Sequence, residues 1–208
     1  MKITVFGATG KTGLEVVKQA LELGHHVSAF VRDPNKVVLK HVNLTVFKGD
    51  VLELSDVTQA LKQQAAVIIA LGAGNSLGKT RVRSLGTANI IESMNHHGIE
   101  RILAVSAMGV LESWQTLSFM NKLFFATLLK NARIDHEAQE KHIKNSSLKW
   151  TIVRPSALTD GEATNDYGVG ELLRAKVAKI SRADVAAFML SILENPKYTQ
   201  KALTISQS

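Results

Sequence analysis

The chain has 208 residues, 45% apolar and 21% charged, which is an ordinary globular balance and enough length for one α/β domain with a real core. Its net charge of +7 comes from scattered Lys and Arg with no block of five and no basic-aromatic ladder, so an anionic small ligand is expected and nucleic acid is not. The absence of cysteine excludes disulfides and cysteine-ligated zinc, and no apolar run is long enough for a bilayer span or a signal peptide.

The first strand is expected at 2–6, apolar after Lys2, and it runs straight into "FGATGKTG" at 6–13. This stretch carries both the end of a nucleotide P-loop, Gly-Lys-Thr, and a G-x-x-G-x-x-G pattern. A P-loop needs a glycine five residues before Gly10, and that position is Val5, inside the strand; the loop is too short to wrap phosphates. In the other pattern Gly7 makes the tight turn, Gly10 lets the backbone approach a pyrophosphate, and Gly13 lets the following helix pack on the strand. Thr9, Lys11 and Thr12 then stand beside phosphate or ribose.

A helix at 13–23 stopped by Gly24 leads to a second strand at 27–31 and then to "VRDPNK". A dinucleotide site reads the adenosine ribose here, with an acid for the 2′-hydroxyl or an arginine for a 2′-phosphate. Arg32 comes first, Asp33 is expected to cap a turn through Pro34 and Asn35, and Lys36 adds charge, so NADPH is expected over NADH.

A third strand at 44–47 and a helix at 56–63 capped by Ser55 precede a fourth strand at 66–71. After it, "AGNSLGKT" at 73–80 fits a relaxed P-loop pattern. Ala73 replaces the first glycine, and no strand ends in the aspartate such sites use for Mg²⁺, so this is read as an accidental match.

Next come a helix at 82–97 closed by Gly98 and a fifth strand at 101–106 that ends on Ser106. An apolar insertion at 111–131, with Trp114, Leu117, Phe119, Met120, Leu123, Phe124, Phe125, Leu128 and Leu129, is read either as core or dimer face, or as a wall over a flat substrate.

A helix at 135–144, a strand at 150–153, a helix at 182–194 capped by Ser181 and a strand at 202–205 complete the alternation. On the helix at 135–144, His136 and Glu140 share a face, His136 being expected as a solvated surface histidine. His25, His26, His96 and His97 read as exposed helix ends, and no His/Asp/Glu set has metal spacing.

Strands apolar throughout, alternating with helices, imply a single-domain α/β fold over 1–208: a Rossmann-type doubly wound parallel sheet of about seven strands with helices on both faces. Ligands bind such sheets at the carboxyl ends of the strands, where Ser106 lies.

The phrases GATGKTG, VRDPNK, "GDV" at 49–51, "LG" at 71–72, "VSAMG" at 105–109 and "WTIVRPSALTDG" at 150–161 resemble the atypical short-chain dehydrogenase/reductases along nearly the whole chain, most closely their biliverdin-IXβ reductase/flavin reductase branch. The resemblance implies a 3-2-1-4-5-6-7 strand order, with Asp50 and Val51 at the adenine, Leu71 and Gly72 along the cofactor, and Pro155, Ser156, Ala157 and Leu158 near the nicotinamide. It also implies that Ser106 faces the reacting centre as the catalytic residue.

Typical members of that superfamily carry Tyr-x-x-x-Lys, whose tyrosine moves a proton to or from an oxygen. Here Tyr167 is followed four residues on by Glu171 and Tyr198 by Ala202, which disfavours ordinary alcohol dehydrogenation. A conjugated ring accepts hydride without a strong protein acid, so flavin or linear tetrapyrrole substrates are implied. Ala157 stands where biliverdin-IXβ reductase has a histidine, a departure bearing on substrate range.

The expected protein is a cytoplasmic NADPH-dependent reductase, monomer or weak dimer, with no metal, membrane or nucleic-acid partner. The alternatives are an NmrA-like non-catalytic NADP(H) sensor and a quinone reductase.

Overall fold

Apolar and β-branched residues without a charge suit a strand covered on both faces, and β1 (Lys2–Phe6) is buried from Ile3 to Phe6. The computed structural model describes residues 1–72, 74, 78–175 and 178–208, without the side chains at 121, 124 and 125. Around β1 lie β2 (His26–Val31), β3 (Leu44–Lys48), β4 (Ala66–Ile69), β5 (Arg101–Val105) and β6 (Lys149–Pro155). Beyond these come β7 (Ala157–Thr159), β8 (Tyr167–Gly170), β9 (Lys179–Ser181) and β10 (Lys201–Gln207).

The main sheet has eight strands in the order β3-β2-β1-β4-β5-β6-β10-β8. Its first seven are the expected parallel order; the eighth corrects the expected count of about seven. Strand β8 pairs antiparallel with the end of β10, Tyr167 opposite Gln207. Its sequence, YGVG, is too short and glycine-rich to read as a strand. Strands β7 and β9 form a separate two-stranded sheet.

Helices α1 (Lys11–Glu22) and α6 (Arg182–Ser191) cover one face. There Ile3 and Val5 meet Val16, Val17, Val185 and Met189. Helices α2 (Leu54–Ala60), α3 (Val82–His97) and α5 (Lys130–Lys144) cover the other, where Phe6, Val67 and Ile69 meet Val57, Ile90, Met94 and Ile143. Successive side chains of β1 thus enter opposite layers, as the strand's period of two requires.

The caps divide by residue. Ser181 accepts from the Asp184 N–H as expected. Ser55 does not cap: α2 starts at Leu54, two residues earlier than expected, after Glu53, and Ser55 lies within its first turn. Residues 111–131 fold as a 3-10 turn at Leu111–Thr116 and helix α4 (Phe119–Thr127), and α5 begins at Lys130, ahead of the expected 135. Among the described residues no helix is long and apolar enough to cross a membrane.

Candidate functional site

The turn between β1 and α1 is built on close backbone contact. Gly7 has φ +84°, and a Cβ there would fall 2.3 Å from the Ala70 carbonyl oxygen; a Cβ on Gly13 would fall 2.2 Å from the Gly7 oxygen. Neither position admits a side chain, so the start of α1 is pressed against the ends of β1 and β4. Gly10 differs: its φ is −74° and a Cβ would meet the Gly7 oxygen at 3.2 Å and the Ala70 oxygen at 4.0 Å, a far looser fit than at Gly7 or Gly13. Because no side chain caps α1 and its first turn holds no acid, the first N–H groups of the helix and its dipole remain for an anion. Thr9 is exposed and Thr12 half-buried beside this opening. Lys11, also exposed, ion-pairs with Asp160 at 2.6 Å, and Asp160 in turn holds Arg182 at 2.6 Å, joining the start of α1 to the segment after β7 and to the start of α6.

At the end of β2, Asp33 accepts from the Asn35 N–H and caps the 3-10 turn Pro34–Lys36. Its carboxylate is thereby turned into the loop, while Arg32 and Lys36 are exposed and have no side-chain partner among the described residues. Asp50 accepts from the Leu52 N–H, and Val51 is buried with its carbonyl held by Asn89. Val51 and Leu71 approach α3 where Gly86 lacks a side chain; a Cβ there would lie 2.9 Å from Val51 and 3.2 Å from Leu71. Sequence reasoning missed the need for glycine at 86, since it comes from two segments distant in the chain that close on α3 there. Gly72 is exposed at the mouth. The open helix N-terminus, the unpaired cations after β2 and the apolar wall at Val51 and Leu71 fit a dinucleotide phosphate.

Ser106 follows β5 and is buried, its N–H donating to the Val153 oxygen. Its hydroxyl donates to Glu140 Oε1 at 2.7 Å. Glu140, fully buried, also accepts from Arg154 Nε at 2.8 Å and Arg154 Nη2 at 2.5 Å. Arg154 reaches Glu112 at 2.6 Å, and Lys144 Nζ contacts both carboxylates. Burial lowers the Arg154 pKa, but Glu140 and Glu112 override that effect and raise it, so the guanidinium stays charged. For Glu112, burial raises the pKa, and hydrogen bonds from Lys144 and Arg154 bring it down to about 2. The sequence held a signal for this network: a charge at Arg154 within the apolar strand WTIVRP must be paired when buried. Beyond Arg154, Pro155 and Ser156 are buried, Ser156 Oγ lies 2.9 Å from Ser206 Oγ, and Ala157 is exposed.

His136 is buried, which overturns its expected place on the surface. The helix at 130–144 starts earlier than its periodicity suggested and packs its polar face on α3. Burial first, then the charge of Arg83, push the His136 pKa down to about 3, so the ring is neutral. Nδ1 lies 3.1 Å from Gln139 Oε1. Beside it, Asp135 accepts from the Arg83 and Ser84 N–H groups and from the Thr80 and Ser84 hydroxyls, closing the start of α3 from another helix. Arg83 reaches Asp135 only at 3.4 Å, and among the described residues its buried Nε has no hydrogen-bond partner; nor has the Nε of Arg133, whose guanidinium lies over the Trp114 ring and pairs with Glu137 through Nη1.

The insertion divides: Leu117 is buried with the core, whereas on and after α4 Phe119 is 80% and Met120 70% exposed, and Leu123 and Leu128 are also exposed. The side chains of Phe124 and Phe125, and Ala73, Asn75, Ser76 and Leu77 of the "AGNSLGKT" stretch, lie outside the described residues.

Residues 7–196 match the NAD(P)H-binding family. The Bacillus subtilis (strain 168) protein YwnB is 31% identical over 216 residues, covering 99% of this chain and 98% of its own. "Reductase pytE" of Aspergillus terreus is 26% identical, covering 98% and 97%. Among solved structures, ChuY from Escherichia coli O157:H7, described as an anaerobilin reductase, superposes with a TM-score of 0.84 at 25% identity, covering 100% and 97%. A short-chain dehydrogenase/reductase from Veillonella parvula DSM 2008 in complex with NADP shares the fold at a TM-score of 0.82 and 18% identity, covering 99% and 94%. With its glycine turn, sheet order and family match in agreement, the chain belongs to the NAD(P)H-binding family and has a Rossmann-type fold.

Proposed function

We propose that the protein is an NADPH-dependent reductase of planar, conjugated, anionic acceptors, of which FMN and biliverdin are the working examples. The observation that carries this reading is the absence of an activated tyrosine. Both tyrosines pack edge-on against Phe188 of α6, and burial first, then Asp184 and Tyr198, raise the Tyr167 pKa, the reverse of what a proton-transferring phenol needs. An acceptor that needs no protein acid fits such a site. The net charge of +7 favours an acceptor that carries a carboxylate or phosphate.

In this reading Gly7, Gly10 and Gly13 with Thr9, Lys11 and Thr12 hold the pyrophosphate, and Arg32 with Lys36 takes the 2′-phosphate. Asp50, Val51, Leu71 and Gly72 line the adenine side, and Pro155, Ser156 and Ala157 the nicotinamide side. The bound nicotinamide supplies the hydride. Ser106 orients the acceptor, the exposed face of α4 forms its apolar wall, and solvent supplies the proton. The resemblance of ChuY, described as a reductase, supports the reading.

The test is NADPH absorbance followed with purified protein and FMN, FAD, biliverdin isomers and quinones in turn. Oxidation with flavin or biliverdin is expected; NADPH binding with no oxidation by any of them overturns the enzyme. A second reading, an NmrA-like sensor whose α4 docks a protein, is favoured by the exposure of Phe119 and Met120, and the same null result would support it.

A further inference from the structure

We infer that Glu140 fixes Ser106 as a hydrogen-bond acceptor towards the bound molecule, so that the site selects ring systems presenting an N–H there and discriminates against those presenting only a carbonyl oxygen. The inference rests on the proposed reading that the acceptor lies against the carboxyl ends of β5 and β6.

A serine hydroxyl has one proton and two lone pairs. At Ser106 the proton is directed to Glu140 Oε1 at 2.7 Å, a charge-assisted bond of the strong kind. Glu140 cannot return the favour, because an ionised carboxylate has no proton to donate. Its ionisation follows from its neighbours: Arg154 of β6 grips both oxygens, and Lys144 lies 3.6 Å away on its own helix. The remaining nearby charge, Glu112 on the 3-10 turn, is engaged by the same two cations. Turning the Ser106 proton outward would strip a fully buried carboxylate of a partner, and such a loss is costly. What Oγ has left to offer is lone pairs.

A flavin imide, a pyrrole and a lactam each present an N–H that Oγ can accept. A quinone or a simple ketone presents only lone pairs, which repel those of Oγ. Glu140 is therefore a positioning residue that sets specificity through Ser106. The same polarity explains why Ser106 does not stand in for the missing tyrosine: with its proton committed, it cannot protonate a carbonyl oxygen.

The experiment compares FMN with 3-methyl-FMN, whose imide proton is replaced by a methyl group. Binding is read by quenching of flavin fluorescence and turnover by NADPH oxidation. The wild-type protein is expected to bind FMN about tenfold more tightly, the scale of one hydrogen bond, and Ser106→Ala to bind the two alike. The Ser106→Ala loss should fall on KM more than on kcat, and the pH profile of kcat should keep its shape because no proton leaves Ser106. Glu140→Gln, whose amide can donate to Oγ and free the serine proton, should narrow the FMN preference and improve relative turnover of menadione. Since that variant leaves Arg154 without its buried anion, its melting is checked first, and the Ser106→Ala comparison stands without it. Equal wild-type affinity for the two flavins with FMN still reduced, or a preference that persists in Ser106→Ala, overturns the inference and leaves the reductase standing. Failure to bind or reduce any flavin or bilin removes the reductase reading and the inference with it.

Discussion

Among the described residues Arg32 has no side chain of its own to hold. Placed first after β2 and exposed, it stands beside an aspartate already used up in capping the next turn. Arg32→Glu is expected to raise KM for NADPH by more than about tenfold, the cost of a lost charge-assisted contact plus repulsion, with little change for NADH. Steady-state kinetics with both cofactors checks this, and an unchanged preference removes the 2′-phosphate role. The place of Arg32 was legible in the sequence, because an exposed position at a strand end depends on the strand immediately before it. Gly7 and Gly13 were legible for the same reason. Glu140 was not: its partner Ser106 is 34 residues away, and no spacing rule joins a strand end to the middle of a helix in another layer. His136 failed in the opposite sense, since a polar helix face reads as solvated until another helix is known to cover it.

Among the elements, the start of α6 shows how much a cap organises. Ser181 accepts from the Asp184 N–H and donates to Asp184 Oδ2, while the Asp184 carboxylate, buried, accepts from the Thr164 and Asn165 N–H groups and so secures the segment before β8. Ser181→Ala should lower stability by about 1 kcal/mol, the usual loss for a helix cap, measured as a shift in the urea midpoint at constant m-value. Ser55, equally plausible by residue type, caps nothing, because α2 begins before it. The strand and helix order was readable from alternating apolar runs, each of which reports its own burial. Strand β8 was not, as it owes its pairing to β10 and not to its own residues.

Across the whole molecule, the layers make stability depend on pH through one ring. His136 has a folded pKa of about 3 against 6.5 for the free side chain, so unfolding takes up a proton at any pH between the two. Its contribution is complete above pH 6.5 and declines as pH falls towards 3. Between pH 7 and pH 5 this one group should remove about 2 kcal/mol. Urea unfolding at both pH values is expected to show that loss in the wild type and a loss smaller by that amount in His136→Gln; equal losses would return His136 to solvent. A different dependence, on salt, follows from the tie between Lys11, Asp160 and Arg182. Lys11 and Asp160 are both well exposed and Arg182 is partly buried, so the tie is open to ions at its Lys11–Asp160 end. In the proposed reading, the pyrophosphate site at the start of α1 therefore carries its own competing anion. Added salt acts twice, loosening the hold of Asp160 on Lys11 and screening the arriving phosphates. Titration calorimetry over a series of KCl concentrations should show NADPH affinity falling steadily in Asp160→Asn but more slowly in the wild type, where the first effect of salt is to free a cation.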